Sequence, residues 1–97
     1  MIILHDTFVC KPGNASKLAS LMKEMADVSK KYDMKVMTDM TGQYHRVIMS
    51  STYENLAEYE TESKKMDESP EMKAMMDKFA NMNEMYTSGS REIFKVW

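Results

Sequence analysis

Ninety-seven residues, 43% of them hydrophobic and 29% charged, with three Gly and two Pro, fit one small globular domain over 1–97 and exclude a disordered chain. Thirteen basic residues against fifteen acidic ones give a net charge of -2; the basic residues are scattered, adjacent only at Lys30-Lys31 and Lys64-Lys65, which argues against a nucleic-acid-binding face. The single cysteine, Cys10, excludes an intrachain disulfide framework and a Cys-cluster metal site, and no apolar run approaches the roughly 18 residues of a membrane span, so the expectation is a cytoplasmic protein with no membrane partner.

Residues 2–10 are apolar, rich in β-branched and aromatic side chains, and closed by Pro12-Gly13, so they are expected to form a strand. Asn14 is a suitable N-cap for the segment that follows. Over 15–32 the apolar set Leu18, Leu21, Met22, Met25, Val28 and Tyr32 recurs at steps of three and four, the pattern of an amphipathic helix. Residues 34–40 alternate, Thr41-Gly42 follows, and 44–51 alternates again, which predicts a β-hairpin. Ser51 and Glu54 fit a capping box, so a helix is expected from near Thr52 with Tyr53, Leu56 and Tyr59 facing inward. That helix is expected to weaken through the polar stretch 60–68. Ser69-Pro70-Glu71 then restarts it, with Ser as N-cap and Pro at the first helical position, and Met72, Met75, Met76, Phe79 and Met82 form its apolar stripe. After Ser88-Gly89-Ser90, residues 91–97 read as a final strand.

The order β-α-β-β-α-β predicts an α+β, ferredoxin-like domain: a four-stranded antiparallel sheet with helices on one face. The other face carries Ile3, Thr7 and Val9 from the first strand, a poor choice for water and a good one for a second sheet. A chain this short also buries only roughly 60–70% of its unfolded surface, so a homodimer is expected.

Four segments together resemble a known superfamily: the strand ending in Cys10-Lys11-Pro12-Gly13; Tyr53-Glu54-Asn55-Leu56-Ala57-Glu58-Tyr59-Glu60; Ser69-Pro70-Glu71-Met72; and the closing Ser90-Arg91-Glu92-Ile93-Phe94-Lys95-Val96-Trp97. Their order and spacing, over essentially the whole chain, are similar to the dimeric α/β-barrel proteins that include the antibiotic-biosynthesis monooxygenases and the NIPSNAP-like proteins. The resemblance implies a sheet-on-sheet homodimer and leaves the chemistry open, because members range from cofactor-independent oxygenases and isomerases to haem-degrading enzymes. In the haem-degrading members an Asn, a Trp and an iron-binding His carry the reaction. Asp6, Tyr59 and Met76 stand at those positions here, so the comparison implies no haem degradation of that kind, and no cofactor is expected.

Asp6 alternates with Leu4, Phe8 and Cys10 and is expected on the helix-covered face, where a carboxylate needs a partner or a pocket. Arg46 on the third strand is its expected partner, with Arg91 second. Asp6 is therefore either the polar anchor or base of a ligand cleft or half of a structural ion pair. Tyr59 takes the superfamily's pocket position and is its expected donor, with Met72, Met76 and Phe79 as the apolar wall. His5 and His45, on neighbouring strands, form either a proton-transfer pair, two ligands of a metal at the binding site, or two half-buried interface residues. The Met spacings admit a Cu(I) reading, but they match helix and strand packing and no metal is expected. Cys10 is expected in the core. These residues point to a protein that binds a small, partly apolar molecule between sheet and helices, as a monooxygenase-like enzyme or as a non-catalytic interaction or ligand-sensing module.

Overall fold

The computed structural model describes residues 1–28, 32–42 and 44–97, apart from the side chains of Val28 and Met76. Strand β1 (Ile2–Cys10) lies between β3 (Arg46–Tyr53) and β4 (Tyr86–Lys95), and β2 (Lys35–Thr38) pairs with β3, giving an antiparallel sheet in the order β2-β3-β1-β4. Helices α1 (Ala15–Val28), α2 (Leu56–Glu68) and α3 (Pro70–Phe79) complete the ferredoxin-like α+β fold that the residue pattern predicts.

Burial along β3 alternates strictly: Val47, Met49, Ser51 and Tyr53 are buried and the residues between them are half-exposed. The register places Leu4 opposite Ser51, Asp6 opposite Met49 and Phe8 opposite Val47, so these share the helix-covered face. Leu18 and Met22 of α1 pack there against Cys10, Val47 and Met49, and Cys10 is buried as expected. Burial raises the Cys10 thiol pKa, keeping it protonated.

Several boundaries differ from those expected, each for a visible reason. Helix α1 is described to Val28; Tyr32, expected at its end, lies beyond the helix yet is buried with its ring stacked on Tyr53 at 4.9 Å. The last expected turn, 29–31, lies outside the described residues. Strand β3 starts at Arg46 and runs on to Tyr53, because alternating burial at Ser51 and Tyr53 wins over the capping box read at Ser51. The helix instead starts at Leu56: Asn55 is the N-cap, its Oδ1 accepting the Glu58 N–H at 2.8 Å, while the Glu58 carboxylate accepts the Glu54 N–H at 2.7 Å. Leu56, expected inward, is 54% exposed. The polar stretch does not weaken α2, which runs unbroken to Glu68. Ser69 caps α3 as expected, its Oγ accepting the Met72 N–H at 3.1 Å. Strand β4 begins at Tyr86 and passes through Gly89, where a Cβ would lie 3.2 Å from Cδ1 of Phe8. The glycine there marks a ring packed on the strand and not a break.

The other face of the sheet is covered by none of the described helices. Ile3, Thr7, Val9 and Ile48 lie on it, with Phe94 45% exposed and Met37 38% exposed. No described helix is long and apolar enough to cross a membrane.

Candidate functional site

Between the sheet and the helices the fold leaves a cavity of about 360 Å³. Its floor is sheet: Leu4 and Asp6 from β1, Met49, Ser51 and Tyr53 from β3, and Arg91 from β4. One face of α2 supplies Tyr59, Ser63, Met66 and Asp67, spaced four, three and one residues apart so that all point the same way. Met72 and Phe79 of α3, Met25 of α1 and Met34 close the wall. Five thioethers and three aromatic rings make most of that wall apolar and polarizable.

The polar end of the cavity is a chain of three side chains. Asp6 and Arg91 are direct partners across the β1–β4 ladder. The guanidinium grips the carboxylate with two hydrogen bonds, Nε to Oδ1 at 2.6 Å and Nη2 to Oδ2 at 3.1 Å. Nη1 then donates to the Tyr59 hydroxyl oxygen at 2.6 Å, which leaves the Tyr59 O–H itself to donate. The Asp6 hydrogen bond raises the Arg91 pKa and burial partly opposes it, so the guanidinium stays charged. Arg91 is 55% exposed against 20% for Asp6, so water screens the pair and its contribution to folding is on the order of 1 kcal/mol or less. Behind Tyr59 its ring meets Tyr53 edge-on at 5.2 Å, and Tyr53 stacks on Tyr32 at 4.9 Å. Burial, the largest cause, pushes both the Tyr32 and the Tyr53 phenol above the usual value; the Glu62 carboxylate beside the Tyr32 hydroxyl adds to the effect.

Of the residues singled out in the sequence, Asp6, its second candidate partner Arg91, Tyr59, Met72 and Phe79 meet at this cavity. Arg46 does not reach Asp6. It stands opposite Val9, on the other face of the sheet, where its backbone N–H donates to Asp39 Oδ1 at 2.7 Å and its Nη2 to the Thr41 carbonyl at 3.4 Å. The partner of Asp6 is Arg91, because the β1–β4 register sets those two side by side. His5 and His45 do not come together either. His5 lies on the helix-free face with its ring 5.3 Å from Phe94, whereas His45 is exposed in the turn before β3 at φ 64. The Met76 side chain lies outside the described residues. Sequence reasoning passed over Ser63, Met66 and Asp67, since a run of mixed charge reads as a solvated helix face. Their spacing from Tyr59 is the signal that finds them.

No family model and no curated protein matches the sequence. Solved structures do match the fold. An uncharacterized NIPSNAP domain protein from Burkholderia xenovorans superposes with a TM-score of 0.79 at 11% identity, over 100% of this chain and 95% of that one. A NIPSNAP family protein from Agrobacterium tumefaciens gives 0.74 at 14% identity, over 97% and 90%. A candidate antibiotic biosynthesis monooxygenase from Deinococcus radiodurans gives 0.69 at 19% identity, over 100% and 93%. The fold is thus the one these NIPSNAP and monooxygenase-like proteins share, as the sequence resemblance implied; at such identities the likeness is one of fold.

Proposed function

We propose that the protein binds a small, partly apolar molecule in this cavity and acts on it by proton transfer or oxygenation without a bound cofactor. The observation that carries the reading is the Asp6–Arg91–Tyr59 chain opening onto a wall of thioethers and rings. A ligand oxygen at the Tyr59 O–H has a fixed donor backed by a guanidinium, so negative charge developing on that oxygen is stabilised where it forms. Proton loss beside a carbonyl or from a phenol, the proton passing to Asp6 or through it to solvent water, creates such charge. The resulting electron-rich species can itself supply the electrons that reduce dioxygen, as the monooxygenase-like structural neighbours suggest. In this reading Asp6 is the polar anchor that holds Arg91, Tyr59 the donor, and Met72 and Phe79 part of the wall. The protein works as a cytoplasmic homodimer, its helix-free sheet face covered by a second copy.

One observation favours a second reading, a binding or sensing module without turnover: Arg91 engages both oxygens of the Asp6 carboxylate, leaving it poorly placed as a base. Incubation with a panel of apolar phenols and ketones, followed by binding and dioxygen uptake, separates the two. Binding with uptake that Tyr59→Phe abolishes supports the enzyme. Binding without uptake selects the sensing module, and absence of binding across the panel contradicts both.

A further inference from the structure

We infer that the molecule held in this cavity carries a cationic amine, seated at Asp67 at the end remote from Tyr59. The inference rests on the ligand-binding reading above and adds the ligand's charge. Three charged side chains line the cavity among the described residues: Asp6, Arg91 and Asp67. The first two cancel in a two-bonded pair. The Asp67 carboxylate is the charge left over, so the lining carries a net negative charge and offers an anion no uncompensated cation.

The position of Asp67 strengthens this. It stands in the last turn of α2, where the unpaired carbonyls already give the helix end partial negative character and a carboxylate is out of place for the helix's own stability. The basic residue of that turn, Lys65, lies 3.6 Å from the Glu62 carboxylate. A ligand ammonium relieves the repulsion between carboxylate and helix end. The neighbouring wall suits such a ligand too, since thioethers and ring faces are polarizable and attract organic cations. Along α2, Tyr59 and Asp67 are eight residues apart, roughly 12 Å at the α-helical rise. The cavity therefore has two polar ends, a hydrogen-bond donor at Tyr59 and a carboxylate at Asp67, with apolar surface between. An apolar body bearing an amine at one end and an acceptor oxygen at the other fits both.

Isothermal titration with phenylpropylamine, phenylpropanol and phenylpropanoate, which share one apolar body and differ in head-group charge, tests the inference. The amine is expected to bind on the order of tenfold more tightly than the alcohol, and the carboxylate most weakly, at low salt. Asp67→Asn, an isosteric change at an exposed helix position, is expected to bring amine and alcohol to equal affinity. Carboxylate binding as tight as the amine overturns the charge inference and leaves the ligand-binding reading standing. An amine preference that survives in Asp67→Asn overturns the role given to Asp67. Absence of binding by all three, the neutral alcohol included, overturns the ligand-binding reading itself.

Discussion

Arg91 commits three N–H donors within one small space, two to Asp6 and one to Tyr59, and that fixes a polar end in an otherwise apolar cavity. Because the pair is partly hydrated, its worth lies in orientation more than in folding energy. Single substitutions Asp6→Asn and Arg91→Met are each expected to lower stability by less than about 1 kcal/mol, with a coupling of roughly 0.2–1 kcal/mol in the double mutant. Asp6 and Arg46 occupy opposite faces, so their coupling in the same denaturant melts is expected to be near zero. A larger Asp6–Arg46 coupling contradicts the register. The buried tyrosines make a second prediction, in pH. A phenol whose folded-state pKa is raised binds its proton more tightly when folded, so its contribution is fully present below the usual value of 10.0 and is lost as the pH rises through the folded-state value. Wild-type stability should fall above about pH 10 by up to about 1.4 kcal/mol per pH unit for each such group. Tyr32→Phe should show a shallower alkaline slope; an unchanged slope contradicts the assignment to Tyr32.

At the scale of the element, order and type were legible because hydrophobic period is a strong signal: Leu18 and Met22 mark one face of α1, and Ser69-Pro70 announces α3. The boundaries were not, because they depend on contacts distant in sequence. Nothing local distinguishes Tyr53 as the last residue of β3; its burial beneath Tyr32 does. The site was half legible for the same reason. Asp6 stood out as a carboxylate on an apolar face, yet its partner is set by the β1–β4 register, and a strand pattern alone gives no register. Asp67 was hidden because it sits in a run of mixed charge, which reads as a solvated helix face, whereas the fold turns it toward a largely apolar cavity. Gly89 shows the same lesson in β4, where the Phe8 ring occupies the space a side chain would need. Gly89→Ala is expected to cost about 1–3 kcal/mol, as overpacking does, and Phe8→Leu in the same chain to recover part of the loss. A neutral Gly89→Ala in chemical melts contradicts the close packing.

Among the described residues one sheet face is covered by helices and the other is not, and that second face bears Ile3, Val9, Ile48 and Phe94. A sheet that buries only one apolar face is complete when a second sheet covers the other, which is the physical case for a homodimer. Sedimentation at micromolar concentration is expected to give twice the chain mass; a stable species of 11.3 kDa contradicts the dimer. Narrower than assembly is the proposal that a small molecule sits in the space between sheet and helices. The methionines make that claim directly measurable, since Met25, Met34, Met49, Met66 and Met72 line the cavity while Met1, Met37 and Met40 are exposed away from it. With the methionine methyl groups isotopically labelled, titration with phenylpropanol followed by NMR is predicted to shift the five cavity methyls together, saturably and with one affinity. Shifts confined to Met1, Met37 and Met40, or no saturable shift at all, would contradict it.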